Sequence, residues 1–90
     1  MFKVYVLYSK SLDKYYKGST SDISDRIRRH NAGQEKATKA GCPWELVASF
    51  PKPDRSAATI LERKLKNLSR IRLVEFIEKH HAVVGTDELP

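Results

Sequence analysis

Cysteine occurs once in this chain, at Cys42. That scarcity excludes an internal disulfide and any zinc cluster built from cysteines. Long apolar runs are missing as well, and no stretch approaches the roughly 20 residues of a membrane-spanning helix. The opening Met1-Phe2-Lys3-Val4-Tyr5-Val6 is too short and too interrupted by polar groups for a signal peptide. A reducing, cytoplasmic setting with no membrane partner is the resulting expectation. No internal repeat or low-complexity segment is visible, and 90 residues leave no room for a second core. Acid is also in short supply: 11 Asp and Glu face 17 Lys and Arg, a formal charge of +6 with a pI near 9.6. Such a balance suits a polyanion such as nucleic acid, although many basic proteins bind nothing anionic.

The excess charge has a direction along the chain. Arg55, Arg63, Lys64, Lys66, Arg70 and Arg72 face one acid, Glu62, whereas beyond Leu73 the acids Glu75, Glu78, Asp87 and Glu88 face Lys79 alone. A basic body with an acidic end is the predicted layout. For any single charge, a solvated helix face remains the commoner explanation.

Periodicity predicts one compact α+β unit. Phe2, Val4 and Val6 alternate with Lys3, Tyr5 and Leu7 as a strand does, and a turn within 9–14 leads to a second strand over 15–19. Asp22 is placed as a helix N-cap, with Asp25 in the first turn, Ile23 and Ile27 toward the core, and Gly33 as the stop. A third strand runs from Trp44 to Phe50 and is expected to end at Pro51 and Pro53. Ser56 is expected to cap a second helix, with Ala57, Leu61, Leu65 and Leu68 at helical spacing. Ser69 starts a third through Ile71, Val74 and Ile77. The domain is expected over 1–81, with 82–90 a mobile tail that has little to pack against.

One ordered set of residues points to chemistry. Lys3-Val4-Tyr5 lies on the first strand, Tyr16-Lys17-Gly18 on the second, and Arg26 and His30 stand one turn apart in the following helix, which closes on Asn31-Ala32-Gly33. Glu62 follows in Ala58-Thr59-Ile60-Leu61-Glu62-Arg63-Lys64. This order and spacing resemble the GIY-YIG nuclease superfamily over residues 2 to 80. The likeness is greatest to small stand-alone members similar to the nuclease domain of the bacterial excision-repair incision subunit. Two departures stand out: Lys3 replaces the first-motif glycine, and Val74 stands near a late asparagine that some members carry.

The resemblance implies a small three-stranded antiparallel sheet flanked by helices, in the order β-β-α-β-α-α, and a metal-dependent endonuclease acting on DNA, with structure-selective or repair-related substrates. It assigns Glu62 to one divalent ion, Mg2+ or Mn2+, and Tyr5 to the general base. A phenol of ordinary pKa near 10 must then be pushed toward phenolate, which a nearby metal and Arg26 favour. Arg26 offers the planar fork that grips phosphate oxygens. Tyr16 and His30 complete the catalytic set, and Lys17, Arg28, Arg29, Arg63, Lys64 and Lys66 are the candidate nucleic-acid contacts.

Each residue also has a plainer role. Tyr5 and Tyr16 read equally as ordinary strand tyrosines, Arg26 and His30 as a solvated helix face, and Glu62 with Lys66 as a surface pair worth a few tenths of a kcal/mol. Trp44 reads as a core anchor, and the adjacent His80 and His81 cannot share a helix face as ligands. A catalytically weak nucleic-acid-binding module of the same fold, and a basic domain docking on an acidic protein, are the competing functions.

Overall fold

Alternation along the first strand sorts its side chains between two faces. In the computed structural model, which describes residues 1–80, β1 (Phe2–Ser9) sends Val4, Val6 and Tyr8 to one side and Tyr5 and Leu7 to the other. It is the middle strand. β2 (Lys14–Thr20) and β3 (Trp44–Lys52) pair with it antiparallel in the order β2-β1-β3. Three helices, α1 (Ile23–Asn31), α2 (Arg55–Lys66) and α3 (Arg70–Lys79), complete the expected α+β order.

The two faces of the sheet are covered differently. Ala58, Leu61 and Leu65 of α2 and Leu73 and Ile77 of α3 close over Val4, Val6, Val47 and Phe50, forming the main aliphatic core. Leu65 is fully buried, so Leu65→Ala should cost roughly 2–5 kcal/mol. On the opposite face, Ile23 and Ile27 of α1 pack against a smaller cluster of Tyr5, Leu7 and Trp44. Polar side chains thread through this second cluster.

Helix ends follow local hydrogen bonding. Asp22 caps α1 through the Asp25 N–H, and Ser69 caps α3 through the Arg72 N–H, as expected. The cap of α2 is Asp54, which accepts from the Ala57 N–H at 2.8 Å, so Ser56 already lies inside the helix. Gly33, just past α1, has φ +75, a left-handed conformation that glycine adopts without a Cβ penalty.

Two further expectations are corrected. β3 runs through Pro51 to Lys52, which an edge strand tolerates because one side of its backbone needs no ladder donor. Ile71 is 74% exposed, while Leu73 and Ile77 face the core with Phe76 against them. Arg70 bonds to the Asp13 carboxylate and to the Asp13 carbonyl, which ties the start of α3 to the β1–β2 turn. His80 closes α3 stacked on Phe76 at 4.1 Å, a packing role. His81 and the tail 82–90 lie outside the described residues.

Candidate active site

Strand register brings the two motif tyrosines together. Tyr5 pairs with Gly18 and Leu7 with Tyr16, and opposed residues of an antiparallel pair share a face, so Tyr5, Tyr16 and Gly18 all point toward α1. A Cβ added at Gly18 would meet the Tyr5 hydroxyl at 2.5 Å. Glycine is what allows that phenol to lie against β2.

The helix supplies the partners. His30, in the last turn of α1, lies edge-on to Tyr16 at 5.1 Å and to Tyr5 at 5.9 Å between ring centroids. Its Nε2 is 3.1 Å from the Tyr5 hydroxyl and its Nδ1 is 2.7 Å from the Thr38 hydroxyl. Both Tyr5 and His30 are 1% exposed, so this hydrogen-bonded pair is the floor of the site. Arg26, half-buried one turn before His30, lies close enough for its charge to act on the Tyr5 phenol. Tyr16 and Arg26 form the rim.

Burial decides the charge state of the floor. It is the largest influence on the Tyr5 phenol, and with the neighbouring Tyr16 and Glu62 it outweighs the pull of Arg26, pushing the pKa up to about 12. Among the protein's own groups, the balance therefore favours the neutral phenol. His30 shifts the other way: burial, with help from Arg26 and against the attraction of Glu35, lowers its pKa. At neutral pH the pair is an un-ionised phenol against an un-ionised imidazole.

Glu62 enters from the other side of the edge strand. Ser19 pairs with Val4 and so faces α2, where its hydroxyl donates to Glu62 Oε1 at 2.6 Å. Lys66, one turn further along α2, sits 2.8 Å from Oε2. Burial raises the pKa of this carboxyl, but the hydrogen bonds from Lys66 and Ser19 and the Lys66 charge together exceed that effect and hold it low. The strand between is thin enough for the charges to communicate, since Glu62 acts on Tyr5 and Tyr16 acts on Lys66.

A divalent ion can be tested against this donor set. The described residues contain no group of three or more His, Cys, Asp or Glu suited to a metal, so an all-protein cage is excluded among them. A carboxylate kept ionised, half-buried and tethered by Ser19 fits the other mode, in which a hard ion takes one protein oxygen and fills its remaining positions from phosphate and water.

The predicted nucleic-acid contacts separate. Arg28 and Arg29 both pair with Asp25, at 2.6 and 2.9 Å, which reduces their charge toward a ligand. Lys64 leans over the Phe76 ring at 5.0 Å, Arg63 is exposed, and Lys66 is engaged by Glu62. Lys17 is half-buried, and its pKa is lowered first by burial and then by the nearby Lys66.

The sequence missed Thr38, Ser19 and Asn31. Thr38 lies in a loop without periodicity, and its carbonyl accepts from the Trp44 indole N–H at 2.7 Å. Asn31 clasps the Trp44 backbone in both directions, which ties the end of α1 to the start of β3. Of these, Asn31 alone had a signal, the Asn-x-Gly helix ending.

Strand tyrosines, a helix histidine and an edge carboxylate thus gather on the two faces of one strand pair. Residues 1–73 match the GIY-YIG catalytic domain, and the chain belongs to that family. Its relatives include a UPF0213 protein of Xanthomonas axonopodis pv. citri, 37% identical over 65 residues, covering 71% of this chain and 64% of the relative. This chain thus spans just under two thirds of that relative's length. A UPF0213 protein of Halalkalibacterium halodurans is 37% identical over 68 residues, covering 74% of this chain and 71% of its own. The solution NMR structure of a UPF0213 protein from Bacillus halodurans superposes with a TM-score of 0.57 at 32% identity, covering 88% of this chain and 85% of that one. Among the described residues, no helix is long and apolar enough to cross a membrane.

Proposed function

We propose that the protein is a metal-dependent endonuclease that hydrolyses phosphodiester bonds in DNA, using Tyr5, Tyr16, Arg26, His30 and Glu62. The observation that carries this reading is the buried Tyr5–His30 hydrogen bond, rimmed by Tyr16 and Arg26 and within electrostatic reach of an ionised Glu62.

Hydrolysis requires an in-line water that loses a proton, positive charge on the phosphate, and a stabilised leaving oxygen. Arg26 at the rim grips phosphate oxygens, with Tyr16 beside it orienting the phosphate or the water. A single water at the junction of rim and floor delivers its proton to Tyr5. Glu62 would hold Mg2+ or Mn2+, which supplies Lewis-acid stabilisation of the phosphate and the departing oxygen. Lys17 and Lys66 at the edge and Arg63 on the exposed side of α2 guide the strand by charge. Structure-selective or repair-related DNA is the proposed substrate.

Supercoiled plasmid with magnesium or manganese provides the test. The parent should nick, and Glu62→Gln, which keeps volume but removes the charge, should abolish nicking with the fold intact. Equal nicking by the variant would remove Glu62 from the metal role.

A second reading is favoured by one observation, the occupation of Glu62 by Lys66. If that pair never opens, the protein is a catalytically weak nucleic-acid-binding module. Salt-sensitive DNA binding without nicking under either metal would select it.

A further inference from the structure

Tyr5 as a base poses a problem that its surroundings answer. A protonated phenol can take a proton from water only if it loses its own, and the neighbour placed to receive it is His30 Nε2 at 3.1 Å. Whether that nitrogen has a free lone pair depends on the tautomer, which the other ring nitrogen's partner sets.

Two proton arrangements need weighing. In one, Tyr5 O–H donates to Nε2, Nδ1–H donates to the Thr38 hydroxyl oxygen at 2.7 Å, and the Thr38 hydroxyl donates to the Glu35 carbonyl at 3.3 Å. Three hydrogens serve three contacts. In the other, Nε2–H points at the Tyr5 oxygen and the Thr38 hydroxyl turns to Nδ1. The Glu35 carbonyl then keeps only the Thr38 backbone N–H, and the Tyr5 hydroxyl hydrogen loses its acceptor at Nε2. Tyr5 is 1% exposed, so leaving its hydroxyl hydrogen without an acceptor is costly, and the first arrangement wins.

We propose that Thr38 is a positioning residue: its hydroxyl, turned by the Glu35 carbonyl, holds His30 in the Nδ1–H tautomer, leaving Nε2 to accept the Tyr5 proton as Tyr5 takes one from water. This rests on the nuclease reading for its catalytic part. The step balances. Water oxygen bonds to phosphorus as the bond to the leaving oxygen breaks with its electron pair, the water proton goes to Tyr5, the Tyr5 proton goes to Nε2, and solvent later exchanges protons with the imidazolium and the leaving alkoxide.

The loop is built to keep Thr38 in place. Its backbone N–H donates to the Glu35 carbonyl at 3.1 Å, and its own carbonyl holds the Trp44 indole. Thr38 is itself fully enclosed, at 1% exposure.

The test reads the tautomer directly. His80 and His81 are replaced by Gln to leave His30 as the lone histidine, and long-range 1H–15N correlations at neutral pH then show which ring nitrogen carries hydrogen. The parent ring should be Nδ1–H, Thr38→Ser should preserve that pattern, and Thr38→Val should move it toward Nε2–H. Plasmid nicking should fall about tenfold or more in Thr38→Val and stay within about twofold in Thr38→Ser. An Nε2–H ring in the parent overturns the proposal, and so does unchanged nicking in Thr38→Val. The parent measurement decides even if Thr38→Val fails to fold. An Nδ1–H parent that never nicks DNA would instead refute the nuclease reading and leave the tautomer assignment standing.

Discussion

Two tyrosine clusters lie back to back on the same pair of strands, and they use nearly the same ingredients. On the α1 side, Tyr5 and Tyr16 meet Arg26 and His30. On the α2 and α3 side, Tyr8 and Tyr15 meet Arg70 and Asp13, with ring centroids 5.0 Å apart and the Arg70 guanidinium over both rings. The difference lies in what the first-strand tyrosine donates to. Tyr8 donates at 2.6 Å to a carboxylate that Arg70 already grips at 2.8 Å. Tyr5 donates to an imidazole with no charge to neutralise. The Tyr8 cluster is a closed ion pair that pins the β1–β2 turn to α3. The Tyr5 cluster can accept a proton without breaking.

Space alone does not make this distinction. A cavity of about 220 Å³ opens on the structural side, lined by Asp13, Lys14, Tyr15, Lys17, Leu68, Arg70 and Leu73. The Tyr5–His30 pair lies on the other face, where both residues are buried. Proton acceptance separates the clusters better than volume does.

The comparison is broken most easily by one atom in each tyrosine. Tyr5→Phe should lower plasmid nicking by about 10²-fold, the usual scale for losing a general base, whereas Tyr8→Phe should leave it unchanged. The pH profiles sharpen the contrast. With its pKa pushed up to about 12, Tyr5 acting as free phenolate would make the parent rate climb tenfold per pH unit throughout the alkaline range. Proton transfer to His30 gives a level rate from neutrality upward, and the rate falls only as His30 protonates, below the ordinary histidine range because its pKa is lowered. A steady alkaline climb in the parent would remove His30 from the proton path, and equal losses in the two Phe variants would end the distinction between clusters.

A smaller effect separates gripping from attracting. Arg26→Lys keeps the charge, so the salt dependence of DNA binding should change little. Turnover at saturating DNA should fall about tenfold, because an ammonium cannot make the paired bonds of a guanidinium to phosphate oxygens. Normal cleavage by this variant would reduce Arg26 to part of the basic surface.

How far the sequence could lead is visible in particular residues. Alternation placed Tyr5 and Tyr16 on strands, and motif spacing set Arg26 and His30 opposite them, because these depend on period and local capping. The inward face of α3 was legible only in part, since Ile77 is buried and Ile71 is 74% exposed. Ile71, Val74 and Ile77 have helical spacing, but so do Leu73, Phe76 and Ile77, and the Arg70 anchor to Asp13 that ties down the start of α3 spans 57 positions. Thr38 and Ser19 were invisible for the same reason, since each acquires its role from a partner brought near only by folding: His30 eight residues away across a turn, and Glu62 43 residues away across the sheet edge. The raised pKa of Tyr5 follows from enclosure, which no local pattern encodes.

The last and smallest effect concerns the closed cluster alone. Arg70 is the leading influence on Asp13, and with Tyr8 it holds the carboxyl at about 2, below its ordinary value of 3.8. A carboxyl depressed on folding stabilises the native state above its unfolded pKa, and that contribution is lost as pH falls through the folded value. The window is therefore pH 4 to 2, approximately. Removing the guanidinium in Arg70→Met should lower the thermal midpoint at neutral pH, and the gap to the parent should close as pH falls through that window. Arg70 lies off the Tyr5–His30 pair, so nicking at neutral pH and moderate temperature should be preserved. The exposed positions of both partners mean that added salt should narrow the gap as well. A gap that stays constant from pH 6 to pH 2 would show that Arg70 stabilises through its packing over Tyr8 and Tyr15, with the ion pair contributing nothing, and the closed cluster would then differ from the open one in shape alone.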